Sequence, residues 1–292
     1  MAAHPAGASP ARRAPVRFPL RLDRIVHRSF AAGTTRIDDP FSRRHFADLS
    51  ALYGVEPRPE VADAAGNTFA AMSAALLADL TPEPADIGLA VVAHATPDLD
   101  CRRAAVTCLS EIIPGRPLVF TVADCGSAAP FAALELADAY IRRHGHRTAA
   151  VFVLDQARLP YETGRHLAGD AGAALLFTAA GRAGTLAMRR MSGVAAEDVP
   201  AAVRTALDEL ECDPEVPAVL SPGLRAARDL PGHTGLTVSA PDGFPASGVF
   251  GALAAEVGCV TPAEGRDARR VLVDHDPDSA ELSVCLLDRG AP

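Results

Sequence analysis

Hydrophobic and polar positions along the chain alternate between two periods. Phe18 to Phe30 has the character of a strand or extended edge. Pro40 to Leu52 carries Phe41, Phe46, Leu49 and Leu52 along one side, which predicts a helix. Ala64 to Leu80 predicts a second, with Phe69, Met72, Leu76, Leu77 and Leu80 at helical spacing, bounded by Pro57 and Pro59 before it and Pro82 and Pro84 after it. A buried strand follows at Ile87 to His94, then a helix from Arg102 to Ile113, stopped by Pro114-Gly115. Leu118 to Val122 is a strand that runs straight into a helical pattern carried by Phe131, Leu134, Leu136, Ala137, Tyr140 and Ile141. Thr148 to Leu154 predicts another buried strand, and Gly169 to Phe177 with Gly184 to Met188 a strand pair.

Near Met191 the order begins again. Val199 to Leu210 predicts a helix, Val216 to Leu220 a strand, Gly223 to Leu230 a short helix and Gly235 to Ser239 a strand. Ala246 to Val257 predicts a helix of small residues, and Val271 to Val273 with Leu282 to Leu287 two closing strands. A repeat of order, not of sequence, predicts an α/β protein of two similar halves, 16–190 and 191–292, behind a disordered Ala- and Pro-rich lead-in of residues 1–15.

Composition adds exclusions. A net charge of −8 argues against nucleic acid or an anionic membrane as partner, and all 28 basic residues are Arg. No run approaches a transmembrane span and the N-terminus has no signal-peptide core, so a cytoplasmic protein is expected. The six cysteines form no C-x-x-C pair, which removes a zinc ribbon or redox motif; no metal and no cofactor is expected.

The chemistry concentrates at the strand-to-helix junction. Cys125 stands there, followed by Gly126, Ser127, Ala128 and Ala129, small residues that let a substrate approach. A thiol at a helix N-terminus feels the positive end of the dipole, which makes it a nucleophile; a buried structural cysteine in a tight turn is the alternative.

Four windows carry a resemblance: NTFAAMSAALLADLTPEPADIGLAVVAHATPD, VADCGSAAPFAALELADAYIRRHG, LAGDAGAALLF and GFPASGVFGALAAEVG. Together they resemble the thiolase-fold superfamily, most of all the β-ketoacyl-acyl-carrier-protein synthase III group. The resemblance implies a five-layer αβαβα fold, an edge-to-edge dimer near the nucleophile strand, and acyl-thioester chemistry at Cys125 with a donor on an acyl carrier protein or coenzyme A. It places Gly126 and Phe244 against substrate. It also marks departures. The family's His should follow Val216 to Leu220, where Ser221, Pro222 and Gly223 stand, and its Asn falls on Phe244. Without those donors the enolate of decarboxylation has little stabilisation, so ordinary condensation is not expected. The family's adenine-stacking Trp is absent, its Arg falls near Glu162, and Arg165 lies close by.

In place of the family's glycine-rich last loop the chain has Asp274, His275 and Asp276. These predict either a His275 acid/base for Cys125, oriented by Asp274 or Asp276, or a polar hairpin turn. His233 is a second His near a second-half strand, while His94 reads as a satisfied structural residue. Asp98 and Asp100 make a loop with no metal constellation, and Cys101 and Cys108 read as buried thiols. The expected activity is acyl transfer through Cys125 in polyketide or fatty-acyl biosynthesis. The alternative is an inactive partner subunit of a thiolase-fold heterodimer.

Overall fold

The computed structural model describes residues 14–36, 38–56, 58, 65–81, 86–159, 161–162, 164–259 and 269–290. Most of the expected lead-in and the prolines at 57, 59, 82 and 84 lie outside them. Two mixed sheets organise the chain. The first contains β2 (Arg21–Phe30), β3 (Leu89–His94), β4 (Leu118–Val122), β5 (Thr148–Asp155) and β6 (Asp170–Thr178), in the order β2-β6-β5-β3-β4. The second contains β7 (Thr185–Ser192), β8 (Ala218–Leu220), β9 (Thr237–Ser239), β10 (Arg269–Asp276) and β11 (Glu281–Asp288), in the order β7-β11-β10-β8-β9, with the short β1 (Val16–Arg17) added beside β7.

The two orders are one pattern. In each sheet the first strand pairs antiparallel with the fifth and the fifth antiparallel with the fourth; the fourth, second and third then run parallel. The helices complete the duplication. The first half supplies α1 (Pro40–Tyr53), α2 (Phe69–Leu80), α3 (Ala105–Ile112) and α4 (Ala129–His144). The second supplies α5 (Val199–Glu209), α6 (Ala226–Asp229) and α7 (Gly248–Cys259). Buried residues of α4, notably Phe131, Leu134 and Ala137, meet α7's Phe250 and Leu253 between the sheets, in one core with Val91 of β3 and Leu272 of β10. Phe69, Met72 and Leu109 of α2 and α3 cover the outside of the first sheet; Val199, Val203 and Ala206 of α5 cover the outside of the second. The layering is αβαβα, as the resemblance implies.

Several boundaries differ from the sequence pattern for local reasons. The α2 helix starts at Phe69, because Thr68 is its N-cap, accepting the Ala71 amide at 3.1 Å. The pair expected between Gly169–Phe177 and Gly184–Met188 does not form: β6 pairs with β2 and β5, and β7 crosses into the second sheet to pair with β11. The crossing lies between Thr178 and Thr185, so a division at 190 cuts through β7. The closing strand expected at Val271–Val273 extends to Asp276. Among the described residues no helix is long and apolar enough to cross a membrane.

Candidate functional site

The β4 strand is the edge of the first sheet, and the chain leaves it through a turn with two left-handed residues. Asp124 has φ 63° and Gly126 φ 54°, with Cys125 between them at φ −113°. Asp124 tolerates this conformation at a cost of about 1 kcal/mol, and such strain persists only where surrounding contacts fix it. Cys125 is half-buried and caps a 3₁₀ turn, Gly126–Ala128, which precedes α4. The expected placement at the head of the long helix is thus corrected by one turn: the N-cap position of α4 is Ala128. The cause is the interposed Gly-Ser-Ala, which takes up the tighter winding before Pro130 sets α4.

Contacts that fix the turn come from the other half of the molecule. The Ser127 amide donates to Asp276 Oδ2 at 2.9 Å, and its hydroxyl donates to Asp274 Oδ2 at 2.8 Å. Asp276 also accepts the Asp278 amide at 3.0 Å and pairs with Arg165 at 3.4 Å; Arg165 reaches on to Asp278 at 2.5 Å. A Cβ on Gly126 would run into the Asp276 carboxylate, so this position admits only glycine. Both aspartates are 2% exposed. Burial pushes the Asp274 carboxyl up to about 7, with the nearby Asp276 charge adding to the rise and hydrogen bonds from Ser127 and Ser221 and the Arg165 charge opposing it.

His275 is not brought to Cys125. The Asp-His-Asp run is strand, not turn: it closes β10, pairing Asp274 with Ser283 and Asp276 with Glu281. Side chains alternate along a strand. Asp274 and Asp276 therefore face the middle layer and the Cys125 turn, while His275 faces the outer layer with Val271 and Val273. There its Nε2 lies 2.9 Å from the Val194 carbonyl. The expected acid/base pairing of His275 with Cys125, and the orienting of that ring by Asp274 or Asp276, are replaced by direct contact of both carboxyls with the Cys125 turn. Ser221, at the position where the resemblance would expect a His, follows β8. Its hydroxyl accepts the His275 amide at 3.3 Å and bonds Asp274. His233 sits in the turn after α6, its amide on the Leu230 carbonyl at 3.1 Å.

Phe244 is half-buried before α7, its ring 3.8 Å from where a Cβ on Gly169 would stand. Behind it lies a group that the sequence pattern did not single out. Asp155, fully buried at the end of β5, accepts the Ala246 amide at 2.9 Å, the Ser247 amide at 2.6 Å and the Ser247 hydroxyl at 2.7 Å. Burial raises its carboxyl to about 6 against those bonds. This cap mirrors the one at Cys125. The β5 and β10 strands are equivalent in the two halves, both are eight residues long, and both end in Asp. Each terminal Asp binds a serine amide at the start of the other half's central helix, Ser127 before α4 and Ser247 before α7. The signal was present as matching apolar runs ending in Asp, VFVLD and VLVDHD.

No family model matches the sequence, and no curated protein does. Solved structures do. AbyA1, a tetronic acid condensing enzyme, has a TM-score of 0.62 at 19% identity over 92% of this chain and 99% of that one. ChlB3, described as an acyltransferase, has a TM-score of 0.59 at 17% identity over 92% of this chain and 97% of that one. A 3-oxoacyl-(acyl-carrier protein) synthase from Burkholderia xenovorans LB400 has a TM-score of 0.59 at 15% identity over 95% of this chain and 96% of that one. Together with the duplicated sheets, these near full-length likenesses establish that the chain has the thiolase-like αβαβα fold of the synthase III structures.

Proposed function

We propose that the chain is an acyl-transferring enzyme in which Cys125 carries the acyl group. The observation that supports this most is the strained turn at Asp124–Gly126, fixed from the opposite half by Asp274 and Asp276. Strain held in place this way is a common feature of functional sites. The Cys125 sulfur attacks the carbonyl of a thioester on a carrier protein or coenzyme A. A C–S bond to Cys125 forms, the donor's C–S bond breaks, and the donor leaves as a thiol with the Cys125 proton. An acceptor alcohol, amine or thiol then attacks the acyl-cysteine, expels the Cys125 sulfur and returns its proton there. Asp274, bonded to the Ser127 hydroxyl in the turn that carries Cys125, is the raised carboxyl placed at this turn and is our candidate for exchanging that proton. Nothing in this sequence of steps requires decarboxylation, consistent with Ser221 and Phe244 in place of the family's donors.

The test is intact mass after incubation with acyl-carrier and acyl-coenzyme A thioesters. A gain of one acyl group in the native chain and none in Cys125→Ala is expected; no gain with any donor defeats the reading. One observation favours a second reading, an inactive partner subunit: His275 is turned to Val194 and Ser221 is engaged, which leaves Cys125 without an imidazole from either position. In that case Cys125 stays unacylated and the chain co-purifies with a complete synthase. The exposed edge of β4, with Leu118 at its start, is the surface on which either a homodimer or such a pair would form.

A further inference from the structure

The carboxylate that holds the Cys125 turn is itself held from its other side. Asp276 Oδ2 takes the Ser127 amide at 2.9 Å; its Oδ1 takes the Asp278 amide at 3.0 Å and meets Arg165 Nη2 at 3.4 Å. The same Nη2 lies 2.5 Å from Asp278 Oδ2. It also lies 3.2 Å from where a Cβ on Gly126 would stand, one residue from the thiol. The turn and Arg165 both belong to the first half, and the Asp276 carboxylate of the second half is bound to both.

Arg165 is placed by the connection between β5 and β6. Asp170, at the start of β6, closes the base of that connection, accepting the Ala157 amide at 2.9 Å and Asn67 Nδ2 at 2.9 Å. Two residues before it, the Ala168 amide donates to the Gly243 carbonyl at 3.0 Å. Gly243 has φ 82°, and a Cβ there would stand 2.5 Å from the Ala168 side chain, so the two backbones are in close contact. Arg165 therefore starts three residues from a fixed point and crosses to β10 with its side chain.

The two ion pairs of Arg165 differ in worth. Asp278 is 69% exposed, where water screens the pair and little is gained. Asp276 is buried, and a buried carboxylate deprived of its cation is costly. Asp274, two residues away and also buried, bonds the Ser127 hydroxyl. Two carboxyls against one turn repel when both are charged, and Arg165 is a cation set against them. Without it the Asp276 carboxylate is drawn toward water, and its hold on the Ser127 amide weakens. That hold is one of the contacts fixing the turn in which Asp124 and Gly126 keep positive φ on either side of Cys125.

We propose that Arg165 is a positioning residue for Cys125: it pins Asp276 to the Ser127 amide and so keeps the thiol in its reactive setting. This rests on the reading of Cys125 as the acyl carrier. It adds to that reading a residue of the first half that acts through a carboxylate of the second.

Alkylation of Cys125 by iodoacetamide in the full chain, followed by peptide mass mapping, reads the thiol without any acyl donor. Arg165→Met is expected to slow it at least five-fold. Because one nitrogen of Arg165 meets both carboxylates, an ammonium can stand in its place, and Arg165→Lys should stay within two-fold of the native chain. Asp278→Asn, at an exposed position, should slow alkylation two- to three-fold with an unchanged melting temperature, and decides the matter if Arg165→Met does not fold. Acyl uptake is then followed with the N-acetylcysteamine thioester of octanoate, a donor that carries no phosphate. Arg165→Met should lower its saturating rate at least ten-fold and leave the half-saturating concentration within two-fold. No uptake by the native chain defeats the acyl-carrier reading, while the alkylation rates still decide whether Arg165 positions the thiol. Native alkylation in Arg165→Met, equal slowing by Met and Lys, slowing that tracks melting temperature across the variants, or an effect confined to the half-saturating concentration would overturn the role given to Arg165.

Discussion

Replacing Asp274 by Asn should change how stability depends on pH more than it changes the structure. The side chain is 2% exposed and its carboxyl stands at about 7 instead of 3.8, chiefly because burial penalises the charge. A carboxyl raised in the folded state keeps its proton there after the unfolded chain has lost it. Its contribution is complete below about pH 3.8 and is lost as pH rises to about 7. Each pH unit inside that window is worth about 1.4 kcal/mol, so the full span is on the order of 4 kcal/mol. Asn keeps the shape and an acceptor for the Ser127 hydroxyl but has no charge to bury. Urea unfolding of both proteins at pH 5, 6, 7 and 8 reads the difference. Relative to the native chain, Asp274→Asn should gain on the order of 3 kcal/mol between pH 5 and pH 8, nearly all of it below pH 7. Asp98 and Asp155 are also raised, to about 7 and about 6. They tilt both profiles alike and cancel in the comparison. Parallel profiles for the two proteins would show that Asp274 is ionised throughout, and the burial argument would be wrong.

Gly126→Ala should destabilise the fold by about 2 kcal/mol or more, since it forces a Cβ into the Asp276 carboxylate at a positive φ; thermal melting measures it. Asp155→Ala strips the acceptor from two amides and the Ser247 hydroxyl and should cost about 2–4 kcal/mol, against about 1 kcal/mol for Ser247→Ala, by chemical denaturation. His275→Ala should lower stability by about 1 kcal/mol through its lost contact with the Val194 carbonyl. It should leave acyl uptake at Cys125 within a few-fold of the native rate in the mass assay, because the ring faces the outer layer.

Most of the layer order was legible because periodicity survives divergence: apolar runs such as Thr148–Leu154 and helical spacing such as Phe69, Met72, Leu76 needed no partner to be recognised. What periodicity leaves open is where a strand ends once its residues turn polar. Val271–Val273 was visible as strand, but Asp274, His275 and Asp276 had the composition of a turn, and only β11 pairing keeps them extended. That misplacement decided the site. As a turn, the three side chains could all point at Cys125; as a strand, every second one must point away. Sheet membership was also hidden. Nothing local to Thr185–Ser192 distinguishes a hairpin with β6 from a crossing to β11, because an edge-to-edge choice is made by the rest of the sheet.

Asp155 and Asp276 tie the two halves together in addition to the core that they share. Each carboxyl is buried at a strand end of one half and accepts a serine amide of the other, Asp155 also taking the Ala246 amide and the Ser247 hydroxyl. Separating the halves would orphan the acceptors and the helix-start amides together, so the penalty falls on both at once. The two caps differ. At Asp155 the carboxylate is fully buried, and Ser247 donates both its amide and its hydroxyl to it. At Asp276 a second carboxyl takes the Ser127 hydroxyl, Arg165 enters, and the turn opens into the strained Asp124–Cys125–Gly126 conformation. A purely structural cap needs only what Asp155 has. The additional carboxyl, the arginine and the left-handed aspartate occur at the copy that carries the thiol, and this asymmetry between equivalent positions adds to the support that the strained turn gives for proposing the chemistry at Cys125.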